Sequence, residues 1–244
     1  MGGMRALLMV GLAVVALSGC ATSPMQDEVT YDPFEPVNRT FFGINDALDK
    51  AILGPVARVY ADVVPAPVRE NVYSFFDNLA YPNVVVNDIL QGKFAQAAED
   101  AMRFLVNSTI GFGGIADVAT GFGLERHDED LGQTLAVWGF GEGPYFELPF
   151  FGPNATRDLP DIPASTLTDA SYYLGTWPAL PLTVLKLVDT RARLDSAIRV
   201  RDRSALDPYV FQREAYMQRR RHLANDGDAP GDAFDLPPPP RVTN

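Results

Sequence analysis

The chain has few of the residues on which metal, redox and nucleic-acid sites depend. Its 244 residues include one cysteine and two histidines, which leaves no Cys/His zinc set and no disulfide framework within the chain. The 20 Lys and Arg are outnumbered by 31 Asp and Glu, giving a formal net charge of -11. Because phosphate contacts need a basic surface, this composition argues against a general nucleic-acid binder.

Long apolar runs are also absent beyond the N-terminus. Arg5 precedes a twelve-residue apolar run, residues 6–17, which is followed by small residues and then Cys20. The run is too short to span a bilayer and is typical of a secretory signal. It resembles the signal of a bacterial lipoprotein, which implies a signal peptide over residues 1–19, lipid attachment at Cys20 and a lipidated tether over residues 20–31. An ordinary signal with an incidental cysteine is the alternative.

Most of the chain after residue 31 shows helical periodicity. Asn38 is the predicted N-cap of a first helix, which Gly54-Pro55 should end. Further amphipathic helices are predicted over residues 67–82 and 93–110. No comparable set of alternating runs is found, so we expect an all-α fold without a large sheet.

The middle of the chain is rich in glycine, with ten glycines between residues 111 and 152. This density predicts glycine-rich loops with tight turns and close backbone approach. Within it, residues 138–151 are too aromatic for a routine surface loop. Residues 172–188 are largely apolar, and their prolines together with Gly175 argue against one straight helix. For that stretch, burial in the protein core and contact with lipid are the two alternatives.

Residues 191–221 reverse the charge of the chain. They hold nine arginines against four carboxylates, a net charge of +5 in a chain that is otherwise acidic. A solvated helix face, a contact with phospholipid headgroups and a contact with an acidic partner are the alternatives. Residues 224–244 form an acidic, Pro-rich tail that cannot bury a core, and we predict that it is disordered.

Signatures of catalysis are weak. Residues 125–130 are rich in charge but supply one histidine, so we predict a charged loop rather than a metal site. Residues 139–143 contain three glycines, but no Lys-Ser/Thr follows them as a phosphate-binding loop requires. No Gly-x-Ser-x-Gly elbow is present. We therefore expect neither enzyme activity nor a cofactor.

A series of short motifs runs along the chain in a recognisable order. They are DPFEPVNRTFF at 32–42, RFLVNSTIG at 103–111, GIADVA at 114–119, GQTL at 132–135, WG at 138–139, GPY at 143–145, LP at 148–149, GP at 152–153, RD at 157–158, DPY at 207–209 and REAY at 213–216. Together they resemble the MlaA/VacJ family of phospholipid-transport lipoproteins. The resemblance is poorest over residues 159–188. It assigns residues 32–223 to one MlaA/VacJ-like helical domain.

The resemblance implies an all-helical, ring-like domain lying in the periplasmic leaflet of the outer membrane, bound to a trimeric porin and enclosing an amphipathic passage. Family members remove mislocalised phospholipid from the outer leaflet and pass it to a periplasmic shuttle protein, which maintains lipid asymmetry without making or breaking a bond. Ala21 after Cys20 also indicates the outer membrane, by analogy with lipoprotein sorting. The alternatives are a structural lipoprotein that scaffolds an envelope complex through residues 191–221, and a periplasm-facing hydrolase.

Candidate site residues come from the aromatic stretches and from the motifs. The hypothetical passage wall consists of Trp138, Tyr145, Phe146, Leu148, Phe150 and Phe151, and the hypothetical gate contains Tyr172, Trp177 and Lys186. Tyr172 and Trp177 are residue types that settle at membrane interfaces. The family motifs contribute Asn38, Arg39, Arg103 and Asn107, which we expect to be structural. For the two arginines, an ion pair between helices and headgroup binding are the alternatives.

Overall fold

The computed structural model describes residues 32–174 and 176–227, and the side chains of residues 174–178 are not described. Cys20, the signal, the tether and most of the acidic tail therefore lie outside the described residues. The elements are α1 (Glu35–Leu48), a π-helical turn (Asp49–Leu53), α2 (Gly54–Val63), α3 (Ala66–Gln91), α4 (Phe94–Thr109), a 3-10 helix (Ala119–Phe122), α5 (Leu131–Val137), β1 (Tyr145–Leu148), β2 (Gly152–Ala155), α6 (Asp161–Thr168), a second 3-10 helix (Ala170–Leu174), α7 (Thr176–Arg193), α8 (Asp195–Ser204) and α9 (Pro208–Ala224). The expected all-α class is confirmed, with one small hairpin added. Within the described part of the chain, no helix combines the length and the apolar character needed to cross a membrane.

The first helix begins at Glu35, so the prediction that Asn38 is its N-cap is wrong. Asn38 is buried inside α1, and its side chain forms hydrogen bonds with the hairpin instead. Its Nδ2 donates to the carbonyl of Tyr145 at 3.0 Å, and its Oδ1 accepts from the backbone N–H of Glu147 at 3.0 Å. Because a buried amide must satisfy both its donor and its acceptor, this side chain fixes β1 against α1.

Gly54-Pro55 does not end the first helical segment, contrary to prediction. Pro55 lies in the first turn of α2, where the missing N–H of proline is tolerated. Gly54 is needed for its size, because a Cβ there would lie 3.1 Å from the carbonyl oxygen of Asp49 and 3.2 Å from Arg191 Nη2. The helical path therefore continues through the π-helical turn, and Arg191 can approach it closely.

Prolines also fail to end two other helices. Pro82 lies inside α3, and Pro181 lies inside α7. Residues 172–188 are still not one helix, as predicted, because the second 3-10 helix ends at Leu174 and α7 begins at Thr176. An interior proline costs a hydrogen bond, but α3 packs against α4, α5, α6 and α7, and tertiary packing overrides this local preference. The predicted helix over residues 93–110 is confirmed as α4.

The hairpin forms a small core with α1 and α9. Strands β1 and β2 are antiparallel, with Tyr145 opposite Ala155 and Leu148 opposite Gly152. Tyr145 and Ala155 are buried together with Tyr209 and Met217 of α9. The rings of Tyr145 and Tyr209 meet edge to face, with centroids 6.1 Å apart. This cluster attaches the glycine-rich middle of the chain to its first and last helices.

Substitutions at two neighbouring glycines distinguish the cost of backbone strain from the cost of steric crowding. Gly113 and Gly114 both have positive φ angles, 74° and 88°. A Cβ on Gly114 would lie 2.4 Å from Cβ of Asn78, whereas a Cβ on Gly113 would meet nothing within 4 Å. We expect Gly113→Ala to cost about 1–2 kcal/mol from backbone strain alone, and Gly114→Ala to cost about 1–3 kcal/mol more. Denaturant unfolding in detergent measures both, and equal losses would contradict the close packing.

Candidate functional site

Polar side chains occupy the interior of the described residues, and many apolar side chains face outward. Eighteen polar or charged residues are buried in this part of the chain, against eleven hydrophobic ones. Thirty-four large hydrophobic side chains are exposed. A water-soluble domain usually buries its apolar side chains and keeps charged ones outside, because burying charge is costly. The described residues instead present an apolar surface over a polar interior.

One apolar row follows the outer face of α1, the π-helical turn and α2. Its members are spaced three or four residues apart, as neighbours on one helix face must be, and each is more than a third exposed. They are Ile44, Leu48, Ile52, Val56, Val59 and Val63. The row therefore gives this helical segment a largely exposed apolar face, and its members on α2 line a groove that α7 borders.

An apolar groove of about 550 Å³ lies between α2 and α7. Its lining is Val56, Val59, Tyr60, Val63, Val64, Pro181, Val184, Leu185 and Val188. The Tyr60 hydroxyl donates to Asp189 Oδ1 at 2.9 Å, which removes the polar end of the tyrosine from the groove. Burial, followed by this hydrogen bond to Asp189, raises the pKa of Tyr60 to about 12. The groove thus offers an almost wholly apolar surface.

A charged cleft of about 160 Å³ lies between α3, the loop that carries Arg126, and α7. Its lining is Tyr73, Phe76, Asp77, Ala80, Arg126, Lys186, Asp189 and Thr190. Val188 lines the groove and Asp189 lines the cleft, so α7 separates an apolar site from a charged one. Such a pair of sites can accommodate the two chemically different parts of an amphiphile.

The charges of the cleft are balanced by short ion pairs. Arg126 holds Asp77 through Nη2 at 2.7 Å and Nε at 3.1 Å, and its guanidinium lies 5.1 Å from the ring centroid of Tyr73. Lys186 Nζ is 3.0 Å from Asp169 Oδ2. Burial raises the pKa of Asp77 above its ordinary value although Arg126 opposes the shift. A polar ligand would therefore bind here by exchanging partners with existing pairs.

Arg103 and Asn107 of α4 hold the loop that follows that helix. The Arg103 guanidinium is 1% exposed and donates to both carboxylate oxygens of Asp117 at 3.0 Å. Asn107 Oδ1 accepts from the backbone N–H groups of Val118 and Ala119, each at 2.9 Å. Burial alone would raise the pKa of Asp117, but hydrogen bonds from Thr120 and Asn107 and the charge of Arg103 bring it below its usual value. Both motif residues thus contact protein rather than an open surface.

Arg39 makes an exposed ion pair between distant parts of the chain. Its Nη2 lies 2.7 Å from Asp207 Oδ2, and its Nε lies 2.7 Å from Glu35 Oε1. The guanidinium also lies 4.6 Å from the ring centroid of Tyr209. This arrangement joins α1 to the start of α9.

Comparison with known proteins identifies the family to which these motifs belong. The family model described as MlaA lipoprotein matches residues 30–223. This chain belongs to the MlaA lipoprotein family. The resemblance inferred from the motifs is therefore confirmed.

Relatives and a solved structure agree with the family match. The chain is 38% identical to the intermembrane phospholipid transport system lipoprotein MlaA of Shigella flexneri and to that of Escherichia coli K12, in each case over 90% of this chain and 88% of the relative. It is 31% identical to the protein of the same name from Haemophilus influenzae, over 91% of this chain and 92% of that protein. A structure solved in work on the structural basis for maintenance of bacterial outer membrane lipid asymmetry matches with a TM-score of 0.71 and 37% identity, covering 80% of this chain and all of that one.

The predicted wall residues of this MlaA family member do not share one environment. Tyr145 is fully buried in the core and faces no opening. Phe146 is half-buried and stacks on Phe34, with ring centroids 5.1 Å apart. Phe150 and Phe151, at the hairpin tip, are 81% and 69% exposed.

Two further wall residues lie at the edges of this region. Leu148 is half-buried at the end of β1. Trp138 is half-exposed, and its Nε1 donates to the carbonyl of Leu90 at 3.0 Å. Of the six predicted wall residues, Phe150 and Phe151 at the hairpin tip are therefore the most exposed.

The predicted gate residues lie against other helices than the hairpin does. Tyr172 is exposed and meets Tyr173 edge to face, with centroids 5.3 Å apart. Lys186 reaches the cleft from α7, and the side chain of Trp177 lies outside the described residues. The segment around these residues packs against α2 and α3, whereas the hairpin packs against α1 and α9.

Four of the nine arginines in the basic segment, residues 191–221, are paired in the interior, whereas the other five are exposed, so the three alternative uses of the segment stay predictions. Arg191, Arg201, Arg213 and Arg220 are buried. Arg191 pairs with Asp49 at 2.6 Å, and Arg201 pairs with Asp46 at 2.7 Å. Arg220 binds Asp130 at 2.5 Å and Asp158 at 2.7 Å, and Arg213 contacts Asp32 at 3.3 Å. These arginines hold α7, α8 and α9 to earlier parts of the chain, so they do not form a free basic patch.

Sequence reasoning missed the residues of the cleft other than Lys186. Tyr73 and Asp77 are four residues apart on α3 and so share a helix face, but nothing in their spacing shows what lies opposite. Arg126 was noticed only as part of a charged loop. The signal that could have found it is charge balance, since a lone arginine among carboxylates is usually paired.

Proposed function

We propose that this chain is an outer-membrane lipoprotein of an intermembrane phospholipid transport system. In this proposal it lies in the periplasmic leaflet beside a porin trimer, anchored through Cys20. It removes mislocalised phospholipid from the outer leaflet and hands it to a periplasmic shuttle protein, which maintains lipid asymmetry. No covalent bond is made or broken, so the chain is not an enzyme.

The observation that carries this proposal is the apolar surface over a polar interior. In hydrocarbon, apolar side chains can face outward without loss, while polar groups must find partners inside the protein. A phospholipid headgroup meets a large barrier in hydrocarbon, so a route for it must be lined by polar groups. The distribution of side chains supplies both conditions.

We place the headgroup route at the charged cleft and the path of the acyl chains along the apolar groove. The ion pairs of Arg126 and Lys186 can exchange a carboxylate for a phosphate, because both ligands are anionic oxygens. Helix α7 divides the two sites, so the gate in this proposal is α7 together with the exposed Tyr172. The exposed rings of Phe150 and Phe151 supply an apolar contact elsewhere on the protein.

A scaffolding lipoprotein without lipid cargo is less well supported. Its docking surface was the basic segment, and four of the arginines there are buried in ion pairs within the chain.

Lipid-resolved mass spectrometry of the gently extracted complex tests the proposal. We expect phospholipid to copurify in stoichiometric amount, together with a porin. As a matched control, an unrelated outer-membrane lipoprotein extracted in the same way should carry only background lipid. A porin complex without phospholipid above that background would favour the scaffold instead.

A further inference from the structure

Two carboxyl groups meet in the interior between α3 and α4. Asp88 and Asp100 are both completely buried, at 0% exposure. Asp88 Oδ1 accepts from Gln96 Nε2 at 2.7 Å, and Asp100 Oδ2 lies 2.9 Å from His127 Nδ1. The two carboxyls are within hydrogen-bond reach of each other. Their remaining oxygens, Oδ2 of Asp88 and Oδ1 of Asp100, find no donor among the described residues.

A single proton satisfies both of these oxygens. Two ionised carboxylates in contact and out of water repel each other strongly, whereas a carboxyl and a carboxylate form a short, charge-assisted hydrogen bond. We propose that Asp88 and Asp100 share one proton, and that this bond holds in place the loop of residues 124–130, which carries Arg126 into the cleft. The regulatory part rests on the proposed function, because it matters only if the cleft admits headgroups.

The loop of residues 124–130 is held by a series of contacts, the first of which is made by Asp100 of this pair. Asp100 holds the ring of His127, and the next residue back, Arg126, is bound to Asp77. The backbone N–H of Glu125 donates to Glu99 Oε1 at 2.6 Å. Three consecutive loop residues thus depend on carboxylates of α3 and α4. Releasing His127 frees the last of the three and loosens Arg126 beside it.

The charges around the pair place the proton on Asp88. Glu129 faces Asp88 through Gln96, which donates to both, and Glu129 is itself paired with Lys93 at 2.8 Å. Lys93 also pairs with Asp226. On the other side, His127 and Arg103 favour the ionised form of Asp100. Burial, then the charge of Asp100 and its hydrogen bond, and then the charge of Glu129 raise the pKa of Asp88 to about 7.

The sign of the pH dependence follows from that shift. The pKa of the Asp88 carboxyl is raised in the folded protein. Opening of the loop should admit water to the pair and lower that pKa toward its ordinary value of about 3.9. The stabilisation by its proton is therefore complete below about pH 4 and is lost as pH rises toward 7. The opening equilibrium of the loop should increase about tenfold per pH unit between pH 5 and 6.5 and should level off above pH 7.

Hydrogen exchange of the full-length lipoprotein in lipid nanodiscs tests this. After correction for intrinsic exchange rates, we expect residues 124–130 to lose protection with the slope and plateau given above. Asp88→Asn should remove the slope, because an amide can donate to Asp100 at every pH. Asp62→Asn, at an exposed aspartate on α2, should keep it. A slope that is unchanged in Asp88→Asn would overturn the proposal.

Infrared spectroscopy of the unmodified chain keeps the test valid if Asp88→Asn fails to fold. We expect the stretching band of a protonated carboxyl near pH 6 and its disappearance above pH 7, and absence of the band at pH 6 would also overturn the proposal.

Phospholipid transfer is measured separately over the same pH range. The proposal requires transfer to change where the loop opens, and constant transfer would contradict its regulatory part. Absence of transfer at every pH would count against the proposed function, while the exchange and infrared results would still decide the shared proton.

Discussion

Replacing Arg103 with alanine should destabilise the protein by about 3 kcal/mol, because it breaks a buried ion pair. The guanidinium is 1% exposed and also donates to Thr120 Oγ1 at 3.1 Å and to the carbonyl of Leu124 at 2.5 Å. The substitution removes one donor from each of these acceptors and from Asp117, which keeps its hydrogen bonds from Asn107 and Thr120. Asp117 is one-third exposed and can regain water, which is why we expect the lower end of the range for buried pairs.

Arg39→Ala is the matched control for this change. Arg39 also joins two parts of the chain through a carboxylate, but its side chain is 40% exposed and its partner Asp207 is 38% exposed. Such pairs contribute about 0–1 kcal/mol, because solvent screens them. Denaturant unfolding in detergent, at equal protein and salt concentrations, gives both losses. A loss of under 1 kcal/mol for Arg103→Ala would show that Arg103 is free for a headgroup, contrary to the geometry.

Helices that depend on local periodicity could be predicted from the sequence, whereas several of their ends could not. Helix α4 lies where its amphipathic pattern places it, within one residue at each end. The errors at Asn38, Gly54-Pro55, Pro82 and Pro181 have one physical cause. Each residue is a boundary signal in isolation, but contacts distant in sequence, such as that of Asn38 with β1, determine its use. Tertiary packing outweighs a local preference of about 1 kcal/mol for an N-cap and about 3 kcal/mol for a proline inside a helix.

The sequence shows which residues are apolar or charged, but it does not show whether their side chains face the interior of the protein or its surroundings. The spacing of Ile44, Leu48 and Ile52 predicts one helix face, yet periodicity does not tell whether such a face meets a core or hydrocarbon. The basic segment posed the same problem. Its charge is visible in the sequence, but its partners, Asp46 and Asp49, lie about 150 residues away and are found only in the folded chain.

Filling the charged cleft should stop lipid clearance. Ala80 lines the cleft and is half-buried, so we expect the indole of Ala80→Trp to occupy the opening. In cells whose own family member is deleted, we expect the unmodified chain to restore low outer-leaflet phospholipid. We expect Ala80→Trp to leave it at the level of the deletion. Ala51→Trp places the same ring on the exposed surface of the π-helical turn, and it should restore clearance fully.

The decisive measurement is the amount of amine-bearing phospholipid in the outer leaflet, labelled on intact cells with a membrane-impermeant reagent and identified by mass spectrometry. Both variants are compared at equal amounts of lipoprotein in the outer membrane. The polar route through the cleft predicts strong labelling with Ala80→Trp and weak labelling with Ala51→Trp. Weak labelling with both variants would contradict the account, because headgroups would then travel by another path.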